Sequence, residues 1–165
     1  MRVRALVVTL LLVSAACGGG NSNPNGPSGS GGSGSSGTSS HGTLTAVIDG
    51  VAYSGTVSTA SNTNGILTVT SNTTDRTRSV NFATTATIGT TSVTGSATSM
   101  QVITSNGTTV TGTWIAVTGL GTGTITISAL SSAGASGTFS FNAPPVGAGA
   151  AGTKVVTSGV FSATF

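Results

Sequence analysis

Charge is nearly missing from this chain. Asp, Glu, Lys and Arg together supply 4% of 165 residues, and none of them is glutamate. Ordinary globular domains carry about a quarter. There is one cysteine, one histidine, one tryptophan and one tyrosine. Each scarcity removes a class of chemistry. A hydrolytic triad needs a base beside its nucleophile, and the single histidine, His41, ends a Gly/Ser stretch, where a solvated linker side chain is expected. Zinc lacks a ligand set. The scarcity of Lys, Glu and Arg also removes the strongest surface helix formers. Threonine, a β-former with a polar face, is abundant instead. An all-β domain is expected on composition alone.

Residues 1–17 read MRVRALVVTLLLVSAAC. Arg2 and Arg4 form a positive start, Ala5 to Val13 an apolar run interrupted by Thr9, and Ser14, Ala15 and Ala16 a small-residue site. This is the order of an export signal. The apolar run is far short of the roughly 20 residues that span a bilayer. The small residues lead directly into Cys17, after which the composition turns to Gly, Asn and Ser.

Here the chain resembles bacterial lipoproteins, whose lipobox runs Leu, Ala or Ser, Gly or Ala, Cys. Ser14-Ala15-Ala16-Cys17 follows it except at Ser14. The resemblance implies a diacylglyceryl group on the Cys17 thiol, cleavage before Cys17, and acylation of the new amine. The membrane would then be a partner through that anchor. Two or more acyl chains hold stably, at about 0.8 kcal/mol per buried methylene. Gly18 rather than Asp follows the cysteine, which by the same resemblance does not signal inner-membrane retention. The expected address is the cell envelope: the outer membrane if the organism has one, otherwise the outer face of the cytoplasmic membrane. The competing reading is plain secretion after Ser14-Ala15-Ala16. It would leave Cys17 an unpartnered thiol in an oxidising compartment.

Losing Arg2 and Arg4 reduces five basic residues to three, Arg76, Arg78 and Lys154, against Asp49 and Asp75, so the mature side chains carry 3 − 2 = +1. No basic patch remains for several phosphate contacts, so no nucleic-acid partner is expected. Residues 18–42 form a 25-residue Gly/Ser tether without an apolar side chain. Its coil span is about 25–30 Å. The expected organisation is signal 1–16, lipidated Cys17 and tether 17–42, and one β-domain 43–165.

Within that domain, Asp49-Gly50 between apolar runs predicts a type I′ hairpin. It pairs Ile48 with Val51, Ala46 with Tyr53 and Leu44 with Gly55, and places Leu44, Ala46, Ile48, Val51 and Tyr53 on the core face. Asn64-Gly65, Asn72 to Asp75 and Asn106-Gly107 predict further turns. Val80 and Phe82 share a parity with Arg76 and Arg78, which should run out past the sheet end. Segments near 86–94 and 98–104 read as Thr-rich strands. Thr109 to Val117 follows, with Trp114, Val110 and Ala116 of one parity. Ile125 and Ile127, then Phe139 and Phe141, alternate with polar residues. Pro144-Pro145 should stop a strand, and the Gly/Ala run 147–152 should be a loop. Lys154 to Phe165 closes the count, with Phe161, Ala163 and Phe165 on one face. Nine or ten short strands imply an antiparallel β-sandwich or a small barrel. No sustained 3.6 period calls for a helix.

Two pieces echo each other, Ser136-Gly137-Thr138-Phe139-Ser140-Phe141 and Ser158-Gly159-Val160-Phe161-Ser162. These pieces, with the opening Leu44-Thr45-Ala46-Val47-Ile48-Asp49-Gly50-Val51-Ala52-Tyr53, resemble an uncharacterised group of bacterial lipoprotein domains with no assigned activity. The resemblance spans most of 43–165 and implies a secreted β-domain, but no reaction.

Few candidates remain for chemistry. Asp49 and Asp75 are the only acids that could form a carboxylate pair, and both fall in predicted turns. They could hold calcium only weakly. Trp114 is the candidate for stacking on a glycan, set against a role in the core. No cofactor is implied. The expected function is a non-enzymatic, lipid-anchored module with an envelope protein or glycan partner. A carbohydrate-binding module using Trp114 and an enzyme using Asp49 and Asp75 are the alternatives.

Overall fold

The computed structural model describes residues 41–94 and 97–165. The signal, Cys17 and the tether up to residue 40 lie outside the described residues. All ten regular elements are strands: β1 (His41–Ile48), β2 (Val51–Thr63), β3 (Ile66–Asn72), β4 (Arg78–Thr85) and β5 (Gly89–Ser92) come first. Then follow β6 (Ser99–Asn106), β7 (Thr109–Ala116), β8 (Thr122–Ser131), β9 (Gly134–Ala143) and β10 (Lys154–Thr164). They form one antiparallel sheet in the order β5-β8-β9-β10-β1-β2-β3-β4-β6-β7. The sheet curls into a half-barrel, so the fold is the barrel form of the expected all-β architecture. β1 begins at His41, whose backbone pairs with Thr164, so the strand starts inside the stretch assigned to the tether.

The local chemistry explains the hairpins. Asp49 and Gly50 both have positive φ (49° and 81°), as a type I′ turn demands. The register is the expected one, Ile48 to Val51, Ala46 to Tyr53 and Leu44 to Gly55. Val51 departs from the expected core face. It is 56% exposed because the hairpin tip overhangs the end of the core. Asn64-Gly65 turns the same way. The Asn106-Gly107 turn moves by one residue: Asn106 pairs with Thr109, and Gly107 and Thr108 make the loop. Gly107, with φ of 62°, supplies the positive angle at the first loop position.

Bulges adjust the pattern elsewhere. The ladder between β6 and β7 slips between Thr104 and Ser105, so Val110 is exposed although Trp114 and Ala116 of the same parity are buried. The Thr-rich segment near 86–94 contributes only four strand residues. It pairs with β8 rather than with its sequence neighbours.

The core fills the inside of the curl. Phe82 packs edge-on against Phe161 at 4.9 Å between ring centroids, and Phe139 lies 5.8 Å from Phe82. Leu44, Leu67, Met100, Ile125 and Ile127 are buried around them. Each such side chain contributes roughly 1.5–3 kcal/mol on leaving water. The two echoing pieces meet directly: Phe139 pairs with Gly159 and Phe161 with Gly137. Each phenylalanine thus covers the other strand's glycine. A Cβ on Gly159 would sit 2.6 Å from two Phe139 ring carbons, and one on Gly137 would sit 2.9 Å from Phe161 Cε1.

Pro144-Pro145 ends β9, as expected, and the chain then crosses to the free side of β7. Pro144 O accepts from Ile115 N at 3.1 Å, and Val146 N donates to Thr113 O at 2.8 Å. Neither bond needs the N–H that proline lacks. The edge of β7 is covered by this segment.

Candidate functional site

Trp114 is 5% exposed. Its Nε1 donates to Gly152 O at 2.9 Å, and the Lys154 ammonium lies 4.9 Å from the ring centroid. Both come from the 147–154 stretch that covers it. The indole is thereby packed and hydrogen-bonded, and it offers no open face for stacking on a sugar.

The two carboxylates serve separate turns. Asp49 Oδ2 accepts from Lys154 Nζ at 2.7 Å, and Oδ1 from Val155 N at 2.8 Å. This joins the β1–β2 hairpin to the start of β10. Partial burial pushes the Asp49 pKa up, but the Lys154 hydrogen bond, the Val155 N–H and the ammonium charge together leave it below the ordinary carboxylate value. Asp75 Oδ1 accepts from Thr73 Oγ1 at 2.6 Å, Thr77 N at 3.1 Å and Thr77 Oγ1 at 2.9 Å. The Thr73 hydrogen bond, then those of Thr77, lower its pKa. No hydrogen bond or ion pair joins the two acids. The β1–β2 hairpin runs on past β3, because Asn72 at the end of β3 pairs with Thr56 rather than with Val51. That overhang is about 17 Å at roughly 3.3 Å per residue. Among the described residues no cluster of three or more His, Cys, Asp or Glu could hold a metal ion.

What the structure does assemble is a polar cleft beside the β3–β4 turn. Thr56, Ser58, Asn72, Thr73, Thr74 and Arg76 line it, and its volume is about 670 Å³. Three local features build it. The ladder between β2 and β3 shifts between Val57 and Thr59, leaving Ser58 as the extra residue. Ser58 Oγ donates to Thr70 O at 3.3 Å and accepts from Asn72 Nδ2 at 2.8 Å. The turn 73–77 is closed by Arg76 N to Thr73 O at 2.9 Å and by the Asp75 bonds. From β6, Ser105 Oγ donates to Arg76 O at 2.7 Å. These contacts hold Arg76 at a φ of 56°, a region its bulky side chain disfavours.

Sequence reasoning placed Arg76 and Arg78 past the sheet end and assigned Arg76 no role; Arg78 instead opens β4, paired with Thr104. Two signals were available. Thr73, Asp75 and Thr77 alternate as a self-capping turn, and three of the five charged residues beyond the leader, Asp75, Arg76 and Arg78, fall within four positions.

The fold and its surface define a curled antiparallel β-domain with an exterior of hydroxyls and amides and almost no charge. Residues 40–164 match the family model described as a domain of unknown function, DUF6252, and the chain belongs to that family. No curated protein matches the chain, and no solved structure does.

Proposed function

We propose that this protein is exported, lipidated at Cys17, and held on the cell envelope, where its β-domain acts as a non-catalytic interaction module. The observation that carries the reading is the order of residues 2–17: two arginines, an apolar run, three small residues, and the only cysteine in the chain. The Gly/Ser stretch after it has the composition of a spacer between anchor and domain. The two carboxylates support the non-catalytic part, because each is tied into its own turn. The buried indole of Trp114 favours no stacking platform, so a partner would be met by the polar exterior.

The test is mass spectrometry of the protein from its producing cells. The mature chain is expected to start at Cys17 with a diacylglyceryl thioether and an acylated amine. Cys17→Ser should release it from the membrane fraction. An unmodified Cys17 thiol, or a mature start elsewhere, would overturn the anchor.

A further inference from the structure

We propose that the cleft beside the β3–β4 turn binds the carboxylate of an acidic saccharide, with Arg76 as the carboxylate ligand. The argument starts from where the charge lies. Beyond Arg2 and Arg4, five side chains are charged. Asp49 and Lys154 neutralise each other at 2.7 Å. The other three, Asp75, Arg76 and Arg78, fall between the β3–β4 turn and the first residue of β4 and sum to −1 + 2 = +1. The domain's uncompensated charge therefore lies in this short stretch, and Arg76 is its one member that lines the polar cleft. Asp75 makes no ion pair with Arg76 among the described residues; its Oδ1 accepts from Thr73 and Thr77. Among the described residues the Arg76 side chain makes no hydrogen bond or ion pair, while its backbone is held from both sides.

The backbone conformation carries a cost of its own, while the exposed guanidinium stays open to a ligand. A left-handed backbone at a non-glycine residue costs about 1–2 kcal/mol. The surroundings here enforce it with bonds from Thr73 and Ser105. Strain maintained in this way points to a positioned side chain. A free guanidinium presents a planar fork that matches a carboxylate with two parallel hydrogen bonds. The remaining lining selects the rest of the ligand. The Thr56 and Thr74 hydroxyls can donate and accept, and Asn72 keeps its amide oxygen and one N–H after bonding Ser58, the chemistry that pairs with sugar hydroxyls. A cleft of about 670 Å³ accommodates a ligand of disaccharide size. This proposal deepens the interaction-module reading and rests on it, but it does not depend on the anchor at Cys17.

The experiment titrates the full chain, in detergent, with digalacturonate. Cellobiose serves as the uncharged control and inorganic phosphate as the bare anion, with calorimetry and the Arg76 side-chain NMR resonance as readouts. Digalacturonate is expected to bind with a submillimolar Kd, at least tenfold more tightly than cellobiose or phosphate, and to weaken as salt screens the charge. Arg76→Asn should weaken it at least tenfold. Asn tolerates the left-handed backbone better than Arg, so the same variant should melt no lower than the parent, and loss of binding then cannot be loss of fold. Ser58→Ala should weaken binding while leaving the Arg76 resonance responsive. Equal binding of cellobiose, tighter binding of phosphate, or unchanged affinity in Arg76→Asn would each overturn the proposal. An unlipidated Cys17 with digalacturonate still bound would refute only the anchor.

Discussion

Removing the hydroxyl of Tyr53 tests how the inside of the sheet is held. Tyr53 is 1% exposed, and its OH donates to Ser71 O at 3.0 Å and lies 3.1 Å from Ser71 Oγ. Gly55 makes the room: a Cβ there would lie 2.9 Å from Tyr53 Cζ. Tyr53→Phe removes a buried hydrogen bond worth about 1 kcal/mol and leaves the buried Ser71 hydroxyl unpaired, at about 1–3 kcal/mol more. The expected loss is roughly 2–4 kcal/mol. For a domain of this size a loss of 2 kcal/mol lowers Tm by about 8 °C. Removing both hydroxyls leaves no side-chain oxygen stranded, and the backbone Ser71 O loses its Tyr53 donor equally in both variants, so Tyr53→Phe with Ser71→Ala should cost no more than the single change. The coupling in that cycle should be about 1–2 kcal/mol. Urea unfolding followed by Trp114 fluorescence measures all of these.

The same residue fixes an alkaline limb. Burial raises the Tyr53 pKa above 10.0, and the Ser71 hydrogen bond only partly opposes this. The protonated phenol is the form the folded state favours. Its contribution is complete below pH 10 and falls away as pH rises through the folded value. Tyr53 is the only tyrosine, so absorbance near 295 nm reports it alone. Parent stability minus Tyr53→Phe stability should shrink as pH climbs beyond 10. A difference that stays flat there, or a single mutant within 0.5 kcal/mol of the parent, would refute the reasoning.

Two further outcomes follow from the geometry. Gly159→Ala drives a Cβ into the Phe139 ring and backbone and should cost about 1–3 kcal/mol; adding Phe139→Leu should recover part of it in urea unfolding, and strictly additive losses would count against the reciprocal packing. Asp49→Asn keeps a residue that tolerates the left-handed turn but drops the charge, and because the exposed Lys154 pair is screened the cost at pH 7 should stay below about 1 kcal/mol. The lowered Asp49 pKa means its contribution is present above pH 3.8 and is lost as pH falls through the folded value, so an acid melting series should separate the two proteins at neutral pH and merge them in strong acid.

Much of the fold was legible because its signals are local. Asp49-Gly50 and Asn64-Gly65 dictate their own loops, and with period-2 alternation they set register and core face together. Val51 was expected in the core and is exposed because the tip outruns it, and Val110 parts from Trp114 of the same parity through a bulge at Thr104 and Ser105; a strand pattern carries neither cause. The pairing of β5 with β8 joins residues far apart in sequence, and short Thr-rich segments have no pattern to announce it. The cleft was hidden for the same reason. Ser58, Asn72 and Arg76 converge only after β2 gains its extra residue and β6 reaches back to Arg76 O. The Gly–Phe echo was visible as one strand type used twice, but its meaning lies in the two copies standing opposite each other.

The strand that opens the domain lies near the middle of the sheet, bonded to β2 on one side and to β10 on the other. Half of its ladder therefore waits for the final residues of the chain. Such distant closures are slow, because the loop entropy is paid before any contact returns it. Cutting Val160 to Thr164 should strip His41 to Thr45 of their partners on β10 and destabilise the sheet at its centre.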